Sequence, residues 1–128
     1  MINVRSDIIK PFLLLMLAAF FSTLGNLILK ISKTTNLNFL PDWIVELRPL
    51  FFVAIAFYML NLLIFSKALE YLPVNTSYPI LASLGFVMLA VSSALFLNES
   101  MSMIQVAGLF VILVGIFMLA DVQLSRGL

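Results

Sequence analysis

Residues 77–97 read SYPILASLGFVMLAVSSALFL, twenty-one positions without one charge. The run shows no sustained two-residue alternation, so it does not fit a half-buried strand. It is as long as the roughly 18–20 apolar residues that carry a helix across a bilayer core. In lipid a segment must satisfy its own backbone groups, which a helix does and an open strand does not. Three further runs share this character, roughly Pro11 to Ile31, Leu50 to Ser66 and Met103 to Ala120, and together the four make up most of the chain. The expected fold is an all-α membrane protein, a single domain over residues 1–128 with four transmembrane helices.

Composition agrees. The 128 residues are 63% hydrophobic and 10% charged, with mean hydropathy +1.19, against about 45–50% apolar and about 25% charged in soluble domains. Too little polar surface exists to coat a water-soluble globule. The absence of cysteine excludes disulfides, thiolate metal sites and cysteine nucleophiles, and the absence of histidine removes the commonest general base and metal ligand. No metal and no cofactor are expected, nor is an enzyme. A net charge of +1 does not point to nucleic acid. Arg5 and Lys10 before the first run give it the look of a signal peptide, but its length and the lack of an A-x-A cleavage signature favour a retained span.

Polar breaks separate the runs: Lys33 to Arg48, Glu70 to Asn75 and Asn98 to Ser102, each too short to fold as a domain. Pro41 and Pro49 punctuate the first, and Trp43 and Tyr71 suit the membrane interfaces. Ser102 and Gln105 have capping-box spacing for the start of the last helix. An even number of spans puts both termini on one face with Arg5, Lys10, Lys67 and Arg126, against Lys30, Lys33 and Arg48 on the other. Four against three does not fix orientation by the positive-inside rule, although setting Lys30 aside as a residue of the span tilts it toward cytoplasmic termini. No internal repeat is evident. Four helices are few to enclose a substrate, and transporters often pair two related halves, so a dimer is expected.

Polar residues inside the spans are the candidates for chemistry. Ser22, Asn26 and Lys30 stand four apart, drift only about 40° per step and line one helical face. Lys30 near the span's end is either a snorkelling residue or a ligand, and Asn26 either an interhelical hydrogen bond or a site residue. Tyr58 and Asn61 share a face at three-residue spacing, and either pair structurally or meet a polar headgroup. Lys67 and Glu70 repeat that spacing, which favours an interfacial ion pair, with Glu70 the best-placed acid for coupling. Ser77, Tyr78 and Pro79, then Ser83 and Gly85, allow the third helix to be kinked or broken, as an ordinary bend or around a binding site. Gly108 and Gly115, seven apart on one face, allow close helix approach and read as an assembly signal.

The stretch Leu69-Glu70-Tyr71-Leu72-Pro73-Val74-Asn75-Thr76-Ser77-Tyr78-Pro79, followed by Ser83-x-Gly85, resembles the second-loop and third-helix signature of four-helix small multidrug resistance proteins and their EamA-like relatives in the drug/metabolite transporter superfamily. Leu97-Asn98-Glu99-Ser100-Met101-Ser102, then Gln105 and Gly108 through Gly115, resembles that superfamily's closing signature, and Gly25 and Lys30 fit as well. The likeness runs from about Phe20 to Leu119. Proton-coupled cation exporters of this family carry a membrane-embedded glutamate three residues before the glycine aligned with Gly25, and here that position is Ser22. Glu70, Glu99 and Asp121 all sit at span ends, so no interior acid takes its place.

Lacking that acid, and with Ser-x-x-Gly at Ser22 to Gly25 and the run from Pro73 to Pro79, the pattern is most similar to the small subunits that flip aminoarabinose-phospho-undecaprenol. The resemblance implies a flippase or flippase subunit for a lipid-linked sugar, in a bacterial inner membrane, acting as a homodimer or as a heterodimer with a related small subunit. Its substrate-binding candidates are Ser22, Asn26, Lys30, Tyr58, Asn61, Glu70, Tyr78 and Ser83, with Lys30 as the point charge for phosphate. The alternatives are export of a small solute or cation, with Glu70 as the acid, and a non-transporting membrane scaffold with Gly108 and Gly115 as its contact face.

Overall fold

In the computed structural model, which describes residues 4–34 and 49–125, all regular structure is helical: α1 Val4–Thr34, α2 Pro49–Ala68, α3 Val74–Phe96 and α4 Met103–Ser125. At about 1.5 Å per residue each reaches the ~30 Å of a hydrocarbon core, α1 with several turns to spare. Three segments, Ile9–Thr34, Pro49–Ala68 and Val74–Phe96, are long and apolar enough to cross a membrane, and α4 carries the apolar stretch Met103–Leu119. The helices outrun the apolar runs of the sequence, because polar residues at span ends continue the hydrogen-bonded ladder into the headgroup layer. Trp43, Pro41, Arg48 and Arg126 lie outside the described residues.

The helix ends follow local rules. Pro49 opens α2, where its missing N–H costs nothing. Pro73 precedes α3 with an extended backbone, and its carbonyl accepts from the N–H groups of Thr76 and Ser77. At α4 the capping box is formed: the Gln105 N–H donates to Ser102 Oγ at 3.3 Å, and the Ser102 N–H to Gln105 Oε1 at 2.8 Å. After α3, Asn98 takes a left-handed conformation (φ 53°), one that asparagine tolerates better than most residues. The chain doubles back there, and the Glu99 N–H donates to Ser93 O.

One local expectation is narrowed and another corrected. First, of the bend or break that the sequence allows in α3, the break is absent: the helix runs on through Pro79 and Gly85. Pro79 lies in the second turn, where one lost N–H leaves only the Asn75 carbonyl without its helical donor, and membrane helices accommodate this. Second, Lys67 and Glu70 form no ion pair with each other; they are linked by a backbone hydrogen bond, Glu70 N–H to Lys67 O at 3.3 Å. The three-residue spacing presumed a continuing helix, but α2 ends at Ala68 and Glu70 falls in the turn.

The packing order is α2–α1–α3–α4, with α1 at the centre against both α2 and α3, and α4 mainly on α3. Small residues make this possible: Ala18, Ala19 and Ala54 are fully buried. A Cβ at Gly25 would stand 3.3 Å from Ala54 O and from the Tyr58 ring, so glycine is what lets α1 and α2 touch. The core lies at one end, where Leu15, Ala68, Leu72 and Ile80 meet. Elsewhere the surface is greasy, with Phe110 70%, Phe117 80% and Ile104 85% exposed. Contiguous apolar exposure on this scale suits lipid or a partner helix.

Candidate functional site

The polar stripe of α1 turns toward its neighbours at the end opposite that core. Asn26 Nδ2 donates to Ser22 O of its own helix at 3.0 Å, which leaves Oδ1 aimed outward. That oxygen accepts from the Tyr58 hydroxyl of α2 at 2.7 Å, a normal length for such a bond. One turn on, the Lys30 ammonium is ion-paired with the Glu99 carboxylate, tying the end of α1 to the α3–α4 connection. Both side chains are about half exposed.

Between α1 and α3 these groups border a cavity of about 370 Å³. Asn26, Lys30, Ser93 and Glu99 give it polar walls; Leu27, Phe86, Leu89, Ala90 and Leu97 line the rest. A second cavity of about 310 Å³ lies between α3 and α4 and shares the wall formed by Ala90, Ser93 and Glu99. Ser93 holds this wall together: its carbonyl accepts from the N–H groups of Leu97 and Glu99, and its hydroxyl donates to Ala90 O. Further down α1, an apolar groove of about 400 Å³ is lined by Leu13, Met16, Leu17, Phe20 and Met88.

The eight residues singled out from the sequence divide. Asn26, Lys30 and Tyr58 are brought together, with Ser22 contributing its backbone carbonyl. Asn61 stays apart from this group, its Oδ1 buried without a hydrogen-bond partner. Ser83 is turned onto its own helix and donates to Pro79 O at 2.6 Å. Tyr78 is 60% exposed and packs edge-on against Phe65. Glu70 is exposed in the α2–α3 turn, at the other end of the bundle from Lys30. Glu99 and Ser93 were not among the candidates. Glu99 was within reach of sequence reasoning, since an even-span topology places the end of α1 and the α3–α4 connection on one membrane face.

Gly108 and Gly115 lie on the peripheral helix, and a Cβ at either would meet nothing within 4 Å in the protomer. Among the described residues no group of three or more carboxylate, histidine or cysteine side chains is placed to hold a metal ion.

The family profile of the Small Multidrug Resistance protein matches residues 10–112, most of the chain. The chain belongs to the small multidrug resistance family. It is accordingly a four-helix, multi-pass membrane protein of a family of transporters in which dimerisation is typical. Similar proteins include an uncharacterized protein, y4nH, of Sinorhizobium fredii, 36% identical over 86% of this chain and 94% of its own length. The quaternary ammonium compound-resistance protein QacC of Staphylococcus aureus is 29% identical over 83% of this chain and 90% of its own. A probable 4-amino-4-deoxy-L-arabinose-phosphoundecaprenol flippase subunit, ArnF, of Photorhabdus laumondii is 34% identical over 52% of this chain and 53% of its own.

Proposed function

We propose that this small multidrug resistance protein moves a lipid-linked sugar, of the undecaprenyl-phosphate kind, across a bacterial inner membrane, as a flippase or a flippase subunit. The observation that carries this reading is the composition of the α1–α3 cavity. Its polar groups are the Lys30 ammonium, ion-paired with the Glu99 carboxylate, the Asn26 amide and the Ser93 hydroxyl. A phosphate headgroup would meet Lys30 as a point charge. Hydroxyls of the sugar would meet the amide of Asn26. The groove along Leu13 to Phe20 offers an apolar path for the polyprenyl chain. Such a site translocates a headgroup without breaking a bond, so no catalytic residue is required.

Cation exchange for protons fits less well. Ser22 stands where exporters of the family carry their embedded glutamate, and the described carboxylates of Glu70, Glu99 and Asp121 lie outside the apolar stretches of the helices. The likeness to QacC over nearly all of its length keeps a cation exporter as the second reading. Glu99 would then be the acid at the cavity, in place of Glu70.

We infer a dimer as the working unit, of two copies or of this chain with a related small subunit, because one protomer leaves α4 almost uncovered. A scaffold with no transport of its own would use the same face.

The test is headgroup accessibility of a polyprenyl-phosphate aminosugar in proteoliposomes, probed from outside with an impermeant amine reagent. Labelling beyond the outer leaflet with the wild type, lost on Asn26→Leu or Lys30→Ala while the protein stays folded, supports the reading. Unchanged activity in both variants removes this site. Labelling confined to the outer leaflet, even on co-expression with a second small subunit, removes the substrate class.

A further inference from the structure

The inward face of α2 carries Ala54, Tyr58, Asn61, Phe65 and Ala68, at alternating steps of four and three. Four of these are accounted for: Ala54 and Ala68 are fully buried, Tyr58 bonds to Asn26, and Phe65 packs on the apolar cluster around Leu15. Asn61 is the exception, because its Oδ1 is buried without a hydrogen-bond partner. Turning the amide over exchanges an unmet acceptor for an unmet donor, and at this depth in a bilayer no water takes the partner's place. The unmet group therefore favours any packing that supplies one. Because α1 and α2 run antiparallel, with Gly25 at Ala54 and Tyr58 and Leu15 near Ala68, Asn61 lies against the stretch of α1 between Leu15 and Gly25. The side-chain hydroxyls of that stretch are Ser22 and Thr23. Thr23 donates to Ala19 O, whereas Ser22 is engaged among the described residues only through its carbonyl. Asn26 is in the opposite position: it borders the α1–α3 cavity, yet its amide is held at both ends, by Ser22 O and by the Tyr58 hydroxyl.

We propose that α2 has two packings on α1, a latched one in which Tyr58 holds the Asn26 amide and a released one in which Asn61 bonds to Ser22 instead. The exchange is a turn of α2 about its own axis, by roughly the 60° that separates residues three apart on a helix. Asn61 Oδ1 then accepts from the Ser22 hydroxyl, and Tyr58 gives up Asn26 to the cavity. One interhelical hydrogen bond replaces another, so the two states lie close in energy, as a two-state element requires. Two features permit the turn. Gly25 has no side chain to stop the Tyr58 ring from sliding across it, and Leu60, Leu62 and Leu63 on the outer side of α2 are exposed. Tyr58 and Asn61 thus act as positioning residues for Asn26. The exchange itself stands on the packing of α2; its last consequence, that a headgroup meets Asn26 only in the released state, rests on the lipid-linked sugar reading.

The chain contains no cysteine, so Leu62→Cys provides a single site for a trifluoromethyl label on the exposed side of α2. Fluorine NMR of the full labelled chain in lipid bicelles, with no substrate added, reads the two packings as a major and a minor signal. Tyr58→Phe removes the latch and should raise the minor signal relative to the major about fivefold, the effect of one such bond in a membrane. Asn61→Leu and Ser22→Ala remove the alternative bond and should each lower that ratio by about the same factor. Helical circular dichroism checks that each variant is folded. A purely structural Asn61 would change stability and leave the ratio alone. One signal in both the wild type and Tyr58→Phe, or a ratio that Asn61→Leu or Ser22→Ala leaves unmoved, overturns the proposal and leaves the flippase reading standing, since no substrate is present. Two signals with the expected shifts support the exchange even where the proteoliposome assay shows no flipping, an outcome that removes the lipid-linked sugar reading alone.

Discussion

The hydrogen bond from Tyr58 to Asn26 joins α1 to α2 beside Gly25, and its energy can be measured without disturbing the packing around it. Tyr58→Phe removes the hydroxyl and keeps the ring that fills the space next to Gly25. Asn26→Leu removes the acceptor. Such bonds average about 0.6 kcal/mol in membrane proteins and reach about 1.7, because the separated helices also find partners in the membrane. At 2.7 Å and half-buried, this one belongs above the average, near 1 kcal/mol, or about fivefold in the unfolding constant. The two single variants and the double variant form a cycle, read by loss of helical circular dichroism in mixed micelles as denaturing detergent is raised. The expected coupling is about 1 kcal/mol. Strict additivity would refute the reasoning, since it would mean that Tyr58 and Asn26 do not share a bond.

Further outcomes follow from the same geometry. Gly25→Ala forces Ala54 O and the Tyr58 ring back by a few tenths of an ångström and should destabilise by about 1 kcal/mol or more, whereas Gly85→Ala, with nothing within 4 Å of its new Cβ, should not; unfolding midpoints in detergent compare the two. Ser102→Ala removes half of the capping box and should cost about 1 kcal/mol, seen as earlier loss of helix in the same titration. Gly108 borders the α3–α4 cavity and a Cβ there meets nothing within 4 Å, so Gly108→Leu has room within the protomer and its monomer stability should change by less than about 0.5 kcal/mol. If α4 is the association face, cross-linking or sedimentation should show dimer lost in that variant, and an unchanged dimer would rule that face out.

How much of this was legible in the sequence depended on the range of the interaction. The four spans were legible because hydrophobicity is a property of each segment alone, and the Ser102–Gln105 cap because its partners are three residues apart. The Lys67–Glu70 pair failed for an equally local reason, since helical spacing was assumed where α2 had already ended. Tyr58 and Asn61 share a helical face, yet only Tyr58 finds Asn26, because the rotation of α2 is set by the contact of Gly25 with Ala54 and no spacing rule contains it. Lys30 with Glu99 is the intermediate case. Topology places both on one face, but whether the lysine snorkels to solvent or pairs with Glu99 depends on the turn at Asn98.

The arrangement of the α1–α3 seam bears on how a carrier built this way would work. At one end the seam is parted into a cavity with half-exposed charged groups. At the other it is shut by Leu15 and Ile80 against Ala68 and Leu72, all buried. Access is therefore from one face, and passage to the other requires the apolar cluster to separate. In water that separation would expose apolar surface at about 25 cal/mol per Å². In a bilayer the replacing medium is as apolar as leucine, so the cluster is held by packing alone and its opening costs far less. The charged end is different, because parting Lys30 from Glu99 leaves each without its counter-charge. The apolar end and the charged end are thus joined through α1 and α3, which both contribute to each.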